Sequence, residues 1–583
     1  MLSTIQRQSL RQRLHRLYGD AAPLLVRRFE AMLGRYGVGL ETPTANEKWD
    51  HRTSVLITYA DTICGEDTYP LRSLERFCLE RLKGTVSTIH LLPFFPWSSD
   101  DGFSVIDFRK VSPSYGHWED VERIGGHFEL MFDLVLNHCS RKSQWFRDYV
   151  TGIAPARWYF LPMDPATDLT QVVRPRPWPL LTKTSTRDGP AHVWTTFSAD
   201  QVDLNWQNPD LLFEFIDILF LYLSKGCRIF RLDAVAFLWK EMGTSCIHRP
   251  QTHEIVKLLR EIVSIVSPNA LLLTETNVPH EENMSYFGEN DEAHMVYNFT
   301  LPPLMLFSYL RQNSGWLRRW AAGLPELSPE QAFLNFSASH DGIGVRPLQG
   351  LLEAADVDWL VGQVRARGGL VSMKANPDGS ESPYELNITY RDALSEPKDP
   401  HLGMRRFLAS QALVLAFKGI PALYIHSLLG TTNDLAGVEA SGQNRSINRR
   451  KWDRADLEER LDDPEDEQHQ LFTTLVRWVR IRREHPAFHP GAAMQVLETD
   501  DAVFAFRRIS RTRAETVTCL FNMSEAAVMV PWKTVVVDAS QKQVRELLHR
   551  RRVRPVRGRL TLQPYQAYWL MEEGLTEEEA LRE

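Results

Sequence analysis

Between residues 55 and 425 short apolar runs recur, and the stretches between them place apolar residues at helical spacing. The runs are Val55–Ala60, Val86–Leu92, Leu130–Leu136, Cys227–Leu232, Ala270–Leu273, Met295–Tyr297, Ala332–Phe336 and Pro421–Ile425. Continuous apolar runs of this length predict strands buried on both faces, the condition of a parallel sheet. Eight such runs alternating with helices predict an α/β chain built on a closed (β/α)8 TIM barrel rather than an open sheet. Most runs end in polar or ionisable residues: Tyr59 and Asp61, Asn137 and His138, Arg231 and Asp233, Glu275, and His340 and Asp341. In a parallel barrel these ends share one face, where barrel enzymes keep their active sites.

The flanks read differently. Residues 1–52 set Leu, Tyr and Phe at helical spacing among many arginines, which predicts a helical extension closing near the turn-like Thr42-Pro43-Thr44. The barrel is expected over residues 53–139 and 206–490. Between them, residues 140–205 are rich in Pro, Trp and Thr and predict an irregular insertion after the third strand. From residue 491 the pattern alternates, as in Val503-Phe504-Ala505-Phe506, Thr516–Phe521 and Leu560–Leu562. A period of two predicts a C-terminal all-β domain, followed by a tail to residue 583.

The 583 residues are 43% apolar, enough for a sizeable core, and the net charge is −7. That balance points away from nucleic-acid and membrane-surface partners. The basic run His549-Arg550-Arg551-Arg552, continuing through Arg554, Arg557 and Arg559, is expected to be a solvated loop between strands. The six cysteines are scattered without metal-ligand spacing, so neither a disulfide framework nor a zinc site is expected. The N-terminus lacks a signal-type apolar stretch, and the most apolar helical segment, Leu211–Leu223, contains Glu214 and Asp217. A soluble, cytoplasmic protein is expected. Homodimerisation is left open.

Two strand-end acids bear on chemistry. Arg231 lies two residues before Asp233, so on a strand both point to one face. A guanidinium there is expected to keep Asp233 ionised. Glu275 ends an apolar strand, where a carboxyl is pushed toward its protonated form. One ionised and one protonated carboxyl are what a retaining glycosidic cleavage needs. Taken alone, Arg-x-Asp is more often a plain ion pair.

Four motifs change that weighting: Asp133-Leu-Val-Leu-Asn137-His138, Arg228-Ile-Phe-Arg231-Leu-Asp233-Ala-Val, Leu273-Thr-Glu275 and Phe336-Ser-Ala-Ser-His340-Asp341. In type and order they resemble the α-amylase superfamily, glycoside hydrolase family 13. The resemblance implies Asp233 as nucleophile, Glu275 as acid/base and Asp341 as a stabiliser bound to sugar hydroxyls, with His138, His340 and Arg231 around the glucosyl ring. The segments Leu92-Pro-Phe-Phe-Pro-Trp-Ser-Ser-Asp100-Asp-Gly-Phe103, His340-Asp-Gly-Ile-Gly-Val345 and Arg445-Ser-Ile-Asn-Arg449 are similar to the sucrose phosphorylase branch. There Asp100 and Arg449 would clamp the far end of the glucose and Phe103 would lie under its ring, unless Phe103 is ordinary core.

In that branch inorganic phosphate takes the glucosyl group, and the resemblance places Arg176 of Arg174-Pro-Arg176-Pro and Tyr384 at the phosphate position. Tyr384 lies in the loop Ser382–Asn387, which the resemblance makes mobile. Without the resemblance the Arg-Pro-Arg-Pro stretch reads as an exposed turn. Glu385 stands where the branch leads one to expect an amide. The N-terminal extension, Trp178 and Phe237-Leu238-Trp239 look more like the glucosylglycerate phosphorylases, whose second substrate is D-glycerate. The alternatives are a sucrose or glucosylglycerol phosphorylase, an amylosucrase-like transglucosylase, and a non-catalytic binding member of the fold. No metal or cofactor is expected; phosphate is a co-substrate.

Overall fold

The computed structural model describes residues 2–39, 47–65, 69–376, 380–536 and 542–574. The turn expected at Thr42-Pro43-Thr44 and the tail from residue 575 lie outside them. Eight parallel strands close into a barrel: β1 (Val55–Thr58), β2 (Thr88–Leu91), β3 (Glu129–Val135), β4 (Cys227–Asp233), β5 (Leu271–Thr274), β6 (Met295–Tyr297), β7 (Ala332–Asn335) and β8 (Ile420–Tyr424). Each overlaps one of the apolar runs. Neighbours follow chain order, and β8 returns to β1 with Ala422 beside Val55. The β3–β4 register sets Asp133 beside Arg231 and Val135 beside Asp233, which brings charge into an otherwise apolar interior.

The insertion leaves the barrel through a neck in which His138–Ser140 pairs antiparallel with Gln201–Asp203. Beyond it stand a helix, Gln144–Thr151, and a three-stranded antiparallel sheet of Pro162–Met163, Leu181–Thr186 and Gly189–Trp194. The segment is therefore more regular than its composition indicated. Its longest hairpin reads Leu-Thr-Lys-Thr-Ser-Thr on one strand, a β-branched but polar run that carries no apolar alternation.

A second small sheet corrects another expectation. Residues 382–387 belong to a strand, Glu381–Asn387, between Leu370–Ala375 and Ile343–Gly344. Ser372 faces Glu385 while Met373 faces Pro383, so Tyr384 is the extra residue of a β-bulge. A bulge re-aims side chains, and here both Tyr384 and Glu385 turn toward the barrel mouth.

The N-terminal extension forms helices Thr4–Tyr18, opened by a Ser3/Gln6 capping box, and Ala22–Met32. The first lies against helix Pro250–Val266, where Arg13 meets Glu261 at 2.7 Å, Glu254 at 3.3 Å and Asp291 at 3.4 Å. C-terminally, a six-stranded sheet and a two-stranded one build the β domain. The basic run is only partly loop: Arg551–Val553 is the edge strand of the larger sheet. Charge on an edge discourages pairing with other chains.

Arg13→Ala leaves three acids without their shared cation. It should cost about 1–3 kcal/mol, read as a lower midpoint in urea unfolding. An unchanged midpoint would show that the extension is held by apolar packing alone.

Candidate active site

A pocket of about 740 Å³, counting the solvent space at its mouth, lies at the C-terminal ends of the barrel strands. Asp100, Phe103, His138, Arg176, Arg231, Asp233, Glu275, His340, Asp341, Tyr384 and Glu385 all line it. Residues from the barrel, the neck, the insertion and the bulged strand thus converge on one volume.

Its floor is a chain of charges. Arg231 Nη1 donates to Asp233 Oδ1 at 2.7 Å and also to Asp133 Oδ1. The other Asp133 oxygen lies 2.6 Å from His90 Nε2. Glu275 is pinned to the same strand end: its N–H donates to the Leu232 carbonyl at 3.1 Å, and its Oε2 accepts from the Ala234 N–H at 3.0 Å. Ala234 adopts a left-handed conformation, φ 48°, a strained choice for a residue with a Cβ. It turns the backbone so that this N–H faces Glu275. The residues on both sides of Asp233 are therefore tied to Glu275.

Burial pushes both acids up, to about 7 each. The expectation that Arg231 would hold Asp233 low is not met: burial outweighs the pull of the guanidinium, and the charge of Asp133 adds to the upward push. Two like charges close together in one desolvating site cannot both ionise cheaply. Asp233 keeps a direct guanidinium bond and Glu275 has one backbone N–H, so the first proton to leave comes from Asp233. Between them the pair presents one carboxylate and one carboxylic acid.

Above this floor, Asp341 takes Arg445 at 2.8 Å. Burial works to raise its pKa, but Arg445, Arg231, Arg449 and Arg176 hold it below the usual carboxylate value. Phe103 stacks on His340 with ring centroids 4.8 Å apart and planes 5° from parallel, and His138 Nε2 meets the Phe103 carbonyl at 2.9 Å. Burial pushes both histidines down, so they offer neutral hydrogen-bonding edges suited to an uncharged sugar.

Arg449 joins Asp100 as expected, though not as part of the cavity lining. It lies behind the lining, with Nη1 at 2.7 Å from Asp101 and 3.3 Å from Asp100 and with Nε on the His340 carbonyl at 2.9 Å. Arg445 takes the cavity-lining position, between Asp341, Asp100 at 3.7 Å and Glu385, which it grips through two bonds of 3.1 and 2.6 Å. Both arginines fall in one short motif, and nothing in the residue types distinguishes the one that faces the cavity. Asn277 was also missed; it reaches the lining because Gly344 has no Cβ, which would lie 2.4 Å from Asn277 Nδ2.

On the mouth side, Arg174 caps the Pro177 and Trp178 carbonyls at 3.2 and 2.7 Å. Arg176 projects inward from that turn, its guanidinium 5.0 Å over the Tyr384 ring and 3.5 Å from Glu385. Burial would raise Glu385, yet Arg445 and Arg176 keep it ionised. The stretch is not the exposed turn its prolines allow, although Trp178 itself is exposed. Among the described residues no group of His, Cys, Asp and Glu could hold a metal ion.

The model of the α-amylase catalytic domain matches residues 79–317, and that of the maltogenic amylase C-terminal domain matches residues 494–569. The chain is 50% identical over 476 residues to a glucosylglycerate phosphorylase of Spirochaeta thermophila, covering 82% of this chain and 81% of that one. It is 44% identical over 537 residues to one of Escherichia coli, covering 91% and 94%. A sucrose phosphorylase of Agrobacterium vitis is 30% identical, with 77% and 92% covered. Among solved structures, a sucrose 6F-phosphate phosphorylase from Thermoanaerobacter thermosaccharolyticum superposes with a TM-score of 0.71 at 23% identity, over 82% and 95% of the two chains, a likeness of fold.

The raised Glu275 carboxyl makes a prediction about stability. A carboxyl whose folded pKa lies above its unfolded value costs nothing below the unfolded pKa, 4.5 for glutamate. It weakens the fold as pH rises toward about 7. Glu275→Gln removes that cost. The variant should melt higher than the parent at about pH 8, with the gap closing at about pH 4. A gap independent of pH would contradict the burial argument.

Proposed function

The chain belongs to the glucosylglycerate phosphorylase family, a branch of the α-amylase superfamily, and from that membership we propose how its residues act. It is an enzyme of the phosphorylase type that exchanges a glucosyl unit between 2-O-α-D-glucosyl-D-glycerate and inorganic phosphate. The observation that carries this reading is the identity of 50% and 44% to two such enzymes over most of the chain, joined to two acids, Asp233 and Glu275, lining one cavity.

In the first step Asp233 attacks the anomeric carbon while Glu275 gives its proton to the departing glycerate oxygen, leaving a β-glucosyl ester on Asp233. In the second, a phosphate oxygen attacks that carbon from the opposite side and Asp233 departs as carboxylate. Glu275 takes back the proton if phosphate arrives as the monoanion. Two inversions give α-D-glucose 1-phosphate. Asp341 would hold the ring hydroxyls, and Phe103, His138, His340 and Arg231 would border the ring. Asp100 and Arg445 close the far end, with Arg449 behind them, so the cavity admits one glucosyl unit.

Arg176 and Tyr384 would receive phosphate, whose charge needs cationic partners beside the two catalytic acids. Glu385 is gripped by Arg445 at 2.6 Å and lies 3.5 Å from Arg176, so an incoming anion would compete with Glu385 for Arg176. The scheme needs no metal or cofactor. No described helix is long and apolar enough to cross a membrane, and the six free cysteines fit a reducing compartment such as the cytoplasm.

Asp233→Asn should cut glucosyl transfer by at least about a thousandfold; a rate within about tenfold of the parent would remove Asp233 from the chemistry. With α-glucose 1-phosphate as donor, phosphate release should depend on glycerate. Release with fructose but not with glycerate would point to a sucrose phosphorylase, and glucan formation without phosphate to a transglucosylase.

A further inference from the structure

His90 takes no part in the scheme above, yet it is a fully buried ionisable side chain in the barrel interior. It sits on β2, where its register partner on β3 is Met131, two residues before Asp133, and Asp133 in turn stands beside Arg231 on β4. Its Nε2 is 2.6 Å from Asp133 Oδ2. A carboxylate can only accept, so Nε2 carries the hydrogen and donates. Burial keeps the ring neutral, which leaves Nδ1 without a hydrogen and, among the described residues, without a hydrogen-bond partner. The ring's one polar contact is thus spent on Asp133.

That contact matters because Asp133 and Asp233 divide one nitrogen. Both accept from Arg231 Nη1, while Arg231 Nε has no partner among the described residues. Whatever satisfies Asp133 from its far side weakens its claim on the guanidinium. We propose that His90 is a positioning residue for glucosyl transfer: its bond to Asp133 sets how the Arg231 guanidinium is shared between Asp133 and the attacking Asp233. This rests on the assignment of Asp233 as nucleophile.

The charged groups around these residues define what a test must separate. Asp233 faces Arg231, Asp133, Glu275 and Asp341. Asp133 faces Arg231, His90 and His340, and His90 faces Asp133 and Arg231. Arg231 also lies against Phe103 and Tyr297. Among these, His90 touches only Asp133, so changing it alters the Asp133–Arg231–Asp233 row and leaves Glu275 and Asp341 their partners.

The experiment uses α-D-glucosyl fluoride and phosphate, because fluoride leaves without a proton and the acid limb of kcat/KM then reports ionisation of Asp233. With His90→Phe, Asp133 draws Arg231 more strongly and Asp233 is harder to ionise, so the limb should move up by about half a pH unit or more. His90→Gln, which can restore an N–H donor, should keep it within about 0.3 unit. Asp133→Asn removes the competing charge and should move the limb down by about half a unit. If His90→Phe does not fold, His90→Met, of similar bulk and without a donor, takes its place. A lower plateau with an unmoved limb, or equal shifts in the donor and non-donor variants, would make His90 a packing residue and overturn the proposal. A parent enzyme that transfers no glucosyl group would overturn the functional reading and this proposal with it. An Asp233→Asn variant that keeps its rate would do the same.

Discussion

One guanidinium nitrogen in the barrel interior, Arg231 Nη1, serves two carboxylates. Burial pushes Asp233 toward its protonated form, Arg231 pulls it back toward the carboxylate, and the charge of Asp133 opposes that pull. The shared arrangement leaves Asp233 ionisable near neutral pH with Glu275 still able to hold a proton. The register of β3 against β4, which puts Asp133 beside Arg231, is what makes sharing unavoidable. Packing of the barrel and protonation at its mouth are therefore one problem, because a shift of either strand would redistribute the guanidinium.

The two ends of the cavity are built by different logic. At the end proposed for the sugar, Arg449 ties the loop at Asp100 and Asp101 to the His340 carbonyl, and Phe103 lies flat on His340. The end proposed for the acceptor is made from add-ons to the barrel. Arg176 comes from the insertion, and Tyr384 and Glu385 come from a bulged strand after β7. Arg445 spans the two ends, bonded to Asp341 on one side and Glu385 on the other. Such a division lets one scaffold keep glucosyl chemistry constant while the acceptor half varies.

The barrel was legible because strands buried on both faces advertise themselves as apolar runs, and the acids at their ends fall where a barrel must place its site. Asp233, Glu275 and Asp341 followed from that pattern and from four motifs. What failed did so for physical reasons. The insertion hairpin is β-branched but polar, so burial left no mark on its sequence. The strand at 381–387 contains a proline and a bulge, both of which read as loop. Arg445 and Arg449 are chemically identical, and only the path of the 3-10 turn at Asn444–Asn448 decides which enters the cavity. The expected depression of Asp233 overlooked its burial and the charge of Asp133, which stands beside Arg231 only through cross-strand register.

The most direct test is to capture the covalent step. Glu275→Gln, incubated with α-D-glucosyl fluoride and no phosphate, should accumulate enzyme carrying one hexosyl group, since fluoride needs no acid to leave while release of the sugar needs a base. Peptide mass spectrometry should then find that group on Asp233. A hexosyl group on any other side chain, or none while fluoride is released in a burst, would contradict the account.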